Sequence, residues 1–170
     1  NVTAGRDYTL GAGWSLAEDV QISARLRQRV KKRLAAGLER ADDASSFAAL
    51  AEALLTADSA AASNWMCATL TGRDEHLRQR TLALLPELPA ETALTFVPLL
   101  ARLIDETQEP SALRAAAALA LAKLPFGEQA PDTAVWSALQ TARQPQNPDE
   151  QKAAATWAWC ELGRSTDLGM

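Results

Sequence analysis

His76, the one histidine of the chain, stands between Glu75 and Leu77. Imidazole is the side chain best suited to moving a proton near neutral pH. It needs an orienting group within hydrogen-bond reach, however, and a metal pair would need a second histidine. The position therefore reads as a solvent-facing residue at a helix start. Asp42 and Asp43 are adjacent carboxylates, the residue type that holds a cation or shares a proton, but between "GLER" and "ASSF" they read as the end of one helix and the cap of the next. Cys67 and Cys160 are far apart and lack ligand-like neighbours, so neither a zinc site nor a disulfide framework is expected; a reducing, cytoplasmic setting is. No nucleophile elbow, glycine-rich phosphate loop or zinc spacing occurs. The sequence thus offers no catalytic residue, metal ligand or cofactor site. An enzymatic role, as in the regulatory domain of a larger enzyme, would require carboxylates brought together only by folding.

Two other patterns could act on a partner. Residues 1–40 carry eight Lys/Arg against four Asp/Glu, while the remainder carries nine against seventeen, for an overall net charge of −4. Arg25, Arg29, Lys32, Arg33 and Arg40 share a helical arc of about 100° and form a basic stripe. Such a stripe can bind phosphate or an anionic membrane, lie against the acidic remainder, or stay solvated. The second pattern is tryptophan, five residues in an alanine-rich background. Trp65, Trp136, Trp157 and Trp159 fall inside expected helices, as core residues or as anchors of a partly exposed binding patch. Trp157 and Trp159 are two positions apart, about 200° on a helix, so one should pack inward while the other edges a groove. Trp136 could share that surface.

These residues need elements to place them. The chain has 170 residues, 48% of them apolar and 22% charged, which suits one folded domain with a real core and excludes a disordered chain. No apolar run approaches the ~20 residues of a membrane span. Because the sequence begins at Asn1, it is expected to be a piece of a longer protein. Residues 1–14, with three glycines, read as an extended arm. Ser15 and Glu18 form a capping-box pattern, so a long amphipathic helix is expected from there. Its apolar face is Leu16, Val20, Ile22, Leu26, Val30, Leu34 and Leu38, and Gly37 should weaken its last turns. Further helices are expected over 46–57, 60–71, 75–88, 92–105, 112–124, 133–143 and 150–163. Pro98 should lie in a first turn or at a kink. Asp74, Ser111, Asp132 and Asp149 stand where helix starts are expected. Short connections make successive helices antiparallel, so the expected class is all-α, a single helical domain over 15–170.

Within it a skeleton repeats. "EPSALRAAAALALAKLP" (109–125) matches "HLRQRTLALLPELP" 36 positions earlier, pairing Leu77 with Leu113, Arg78 with Arg114, Leu85 with Leu121, Leu88 with Leu124 and Pro89 with Pro125. A looser copy, "QKAAATWAWCELG", follows 38 positions later, with Lys152 at the arginine position and Trp157 opposite Leu119. Each copy follows another apolar helix, so the unit is a two-helix hairpin, and such a period marks a solenoid. The segment "FVPLLARLIDETQEPSALRAAAALALAKLP" resembles the HEAT family of helical repeats. Its first helix contains Pro98 and ends at Asp105; a Pro-containing turn follows, and a second helix opens on Leu113–Arg114. The resemblance extends loosely over 59–163, with a longer turn than the family's usual one and Lys152 in place of arginine. It implies an α-solenoid of three antiparallel hairpins following an N-terminal helical pair over 15–57. The implied role is a non-catalytic adaptor that binds a protein or peptide on its surface. Some members of this family are DNA-base glycosylases, but the repeats here lack a basic lining, so nucleic-acid binding would fall to residues 25–40.

Overall fold

Four of the described helices start at an aspartate cap. In the computed structural model, which describes residues 23–127 and 130–167, the carboxylates of Asp43, Asp74 and Asp132 accept from the amides of Ser46, Leu77 and Val135 at 2.7, 3.0 and 3.0 Å. Each satisfies a first-turn donor that has no intrahelical partner. Asp58 does the same for Ala61 at 2.9 Å. The helices so defined are α1 (Ala24–Arg40), α2 (Ala44–Ala57), α3 (Ser59–Leu70), α4 (Glu75–Leu84), α5 (Ala90–Ala93), α6 (Val97–Asp105), α7 (Ser111–Ala122), α8 (Thr133–Ala142) and α9 (Asp149–Asp167). Among the described residues there is no strand. The expected arm over 1–14 and the expected helix start at Ser15 lie outside the described residues. Within them, α1 is capped by Ser23, whose hydroxyl accepts from Leu26 N at 3.3 Å.

Four local expectations need correction. The helix expected over 92–105 is interrupted by a 3-10 turn at Leu94–Phe96. Pro98 lacks the N–H that would bond the Leu94 carbonyl, and its ring crowds that residue. Pro86 acts likewise, so α4 stops at Leu84 and a 3-10 turn, Leu85–Glu87, replaces its expected end. The N-cap of α7 is Pro110, with Ser111 already helical, and Asp149 is the first residue of α9 rather than its cap.

The chain divides into two compact units, the first ending at Thr71 and the second beginning at Gly72. The boundary falls inside the first expected hairpin, between α3 and α4. In the first unit α2 packs against both α1 and α3. Its core is Val30, Leu34 and Leu38 from α1, Phe47, Leu50 and Leu54 from α2, and Met66 and Leu70 from α3. Gly37 does not end α1. Its missing side chain lets Leu50 come close, since a Cβ there would stand 3.3 Å from the leucine methyls. Lys31 donates to Asp58, tying α1 to the cap of α3. That hydrogen bond, with the Ala61 amide second, holds the Asp58 carboxyl below its ordinary value.

In the second unit α7 packs against α4, α6 and α9, while α8 packs against α6 and α9. Helix α7 is covered accordingly: Leu113, Ala115, Ala117, Ala118, Ala120 and Leu121 are all buried. The two repeated arginines are buried as well, each 6% exposed. Arg114 Nε donates to the Ile104 carbonyl in the last turn of α6 at 2.9 Å, satisfying a helix-end acceptor. Arg78 forks onto Glu109, with both N–H···O distances 2.7 Å. At the other end of the unit, the Asn147 amide donates to the Thr141 carbonyl at 2.8 Å and closes the turn after α8.

The Arg78–Glu109 fork sets a pH dependence. Its hydrogen bonds hold the Glu109 carboxyl below the ordinary glutamate value. The unfolded state therefore takes up a proton first as pH falls from neutral. The stability this pair contributes is complete above the unfolded-state value of about 4.3 and is lost as pH drops through the lower folded-state value. Glu109→Gln is expected to melt earlier than the parent at neutral pH and to lose less of its melting temperature on acidification, as measured by thermal circular dichroism across an acid series.

Candidate protein-docking groove

Residues related by the repeat line one furrow of the second unit. Helix α7 packs against both α4 and α9, and two sets of positions offset by 36 and then 38 residues fall on these three helices: Gln79, Ala115 and Ala153 in one, Ala83, Leu119 and Trp157 in the other. Five of these six, with Ala112, Ala116, Ala154 and Glu150, line an open groove of about 550 Å³. A smaller recess of about 220 Å³ continues it past Ala83, Pro86 and Lys123, sharing Gln79, Ala116 and Leu119.

The floor is flat because most of the lining is alanine, which has no side chain beyond Cβ. The walls are Leu119 and Trp157, each 39% exposed, among the few large apolar side chains that reach solvent. Leaving them wet costs roughly 25 cal/mol per Å² of apolar surface, which a partner seated in the groove would recover. Glu150 lies at the end where α9 begins, and Lys123 follows the end of α7, so the furrow carries an acid at one end and a base at the other.

The four tryptophans singled out from the sequence occupy three environments. Trp157 is in the groove. Trp159 is half-buried and meets Trp136 edge to face, with ring centres 4.8 Å apart, and the Arg143 guanidinium carbon sits 4.9 Å from the Trp159 ring centre. Trp136 thus pairs with Trp159 between α8 and α9 and does not line the groove. Trp65 is half-buried in the first unit, 6.1 Å from the Phe47 ring centre. Arg25, Arg29, Lys32, Arg33 and Arg40 are all exposed on α1. Exposed too are His76, in the first turn of α4, and Asp42. Asp43 caps α2, and both cysteines are free and exposed. Leu119, Gln79 and Ala116 were not singled out from the sequence, although the repeat register that pairs Leu119 with Trp157 already carried the signal.

Among the described residues no three His, Cys, Asp or Glu side chains gather as a metal site would require, and no helix is long and apolar enough to cross a membrane. Comparison with protein-family models, curated proteins and solved structures finds no match for this chain.

Proposed function

We propose that the second unit is a stack of HEAT-like hairpins acting as a protein-docking module, and that the groove over α4, α7 and α9 takes an amphipathic helical segment of a partner protein. The contacts of α6 with α8 and of α7 with α9 support the stack, because a repeat of two helices brings each helix against its counterpart in the next repeat. The observation that carries the docking role is the pairing of exposed Leu119 with exposed Trp157 over an alanine floor. Aromatic anchors in apolar grooves dominate interface energetics, at about 2 kcal/mol or more each, and a helix presents its apolar residues as the ridge such a furrow accepts. The lining is mostly apolar surface available for burial.

Selection from a displayed library of helical peptides tests this. The protein should enrich peptides with aliphatic residues at i, i+3, i+4 and i+7, and Ala116→Trp, which fills the groove, should lose them while melting normally. If the same peptides are retained by Ala116→Trp, the groove is not the docking site.

A further inference from the structure

The groove makes no use of the basic stripe on α1, whose setting defines a second site. Arg25, Arg29, Lys32 and Arg33 are exposed. No hydrogen bond or ion pair joins any of the four to another described residue. Lys31, one position away, is instead spent on Asp58. The one acidic residue of α1 is Glu39, beside Arg40 and near Asp42 and Asp43. Among the described residues of α1, the positive charge without an acidic partner is therefore concentrated between Arg25 and Arg33, and Arg40 contributes less.

From this we infer that the outer face of α1 binds the phosphodiester backbone of a nucleic-acid duplex without reading its sequence. Arg25, Arg29 and Arg33 recur at i+4, about 6 Å apart along the axis, so the helix presents a short line of guanidinium forks. Phosphate oxygens match that planar two-point geometry better than they match an ammonium. The face carries no aromatic residue on which an unpaired base could stack, which disfavours single strands. It also disfavours burial in a bilayer. An interfacial helix must give its apolar side to the lipid, and that side of α1, Val30, Leu34 and Leu38, is already buried within the first unit. Among the described residues of that side, Leu26 is the one large apolar side chain left exposed. The net charge of −4 confines attraction to the neighbourhood of α1, since the field of the stripe is screened within about 10 Å at ~0.1 M salt.

Fluorescence anisotropy with two labelled DNA duplexes of unrelated sequence tests the site. Both duplexes should bind with the same affinity. Neutralising about four phosphates gives a slope of log K against log salt near −4, about a hundredfold loss between ~50 and ~200 mM. The variant R25Q/R29Q/K32Q/R33Q should bind at least tenfold more weakly, with an unchanged melting curve. Absence of binding at ~50 mM salt, equal binding by the variant, or co-sedimentation with phosphatidylserine vesicles when no duplex is bound would each overturn the inference.

Discussion

Leu121→Asp is expected to unfold the unit that begins at Gly72, whereas Leu119→Asp, two residues earlier on the same helix, is expected to leave it folded. Leu121 is fully buried in the last turn of α7, the helix against which α4, α6 and α9 all pack. A carboxylate there has neither water nor a cationic partner. The loss of leucine packing adds to the cost of burying charge, for an expected penalty above about 4 kcal/mol. Domains are typically stable by about 5–15 kcal/mol, so the folded state would barely persist. Leu119 is 39% exposed and points into the open groove, so its carboxylate stays hydrated. Far-ultraviolet circular dichroism and denaturant titration of the two variants provide the comparison. A Leu121→Asp chain that unfolds at the parent's midpoint would show that α7 is not central.

The second large effect runs in the opposite direction. Gln151 is fully buried, and among the described residues neither its amide nitrogen nor its amide oxygen has a hydrogen-bond partner. A buried amide without partners costs about 1–3 kcal/mol. Gln151 also stands 38 positions after Leu113 and 74 after Leu77, so it occupies the hydrophobic place before the arginine position of the repeat. Gln151→Leu restores the repeat's own residue and removes two unsatisfied groups while keeping a similar volume. It is expected to stabilise the protein by about 1–3 kcal/mol, seen as a higher denaturant midpoint with an unchanged slope. A lowered midpoint would show that the amide is doing something a hydrocarbon cannot.

Much of this architecture could be read from local pattern. Helix starts were legible at Asp43, Asp74 and Asp132, where a short side chain that caps precedes a run of helix formers. The central place of α7 followed from its having only Arg114 as a charged residue over twelve positions. What escaped was long-range or depended on small differences of backbone geometry. Pro86 shortens its helix by withholding one N–H, whereas Pro98, expected in a first turn or at a kink, does stand in the first turn of α6. Nothing in the sequence near Glu109 indicates that Arg78, 31 positions away, will fork onto it. Asp58 was readable in principle, since Ser59–Ala62 follows it as a helix start, but its bond to Lys31 was not. The tryptophans show the same division. Their number drew attention to an aromatic surface, and helical phase separated Trp157 from Trp159. Only packing determined that Trp159 would meet Trp136, leaving Trp157 beside Leu119.

The groove exists only if α7 separates α4 from α9, and a pair of intramolecular distances tests that order. In a background with Cys67 and Cys160 replaced by serine, spin labels would be placed at A83C with L119C and at A83C with W157C. Neighbouring helices lie about 8–10 Å apart, so the row of three requires the second distance to be roughly twice the first. Equal distances, as in a closed bundle where α4 touches α9, would contradict the stacked arrangement and the docking groove built on it.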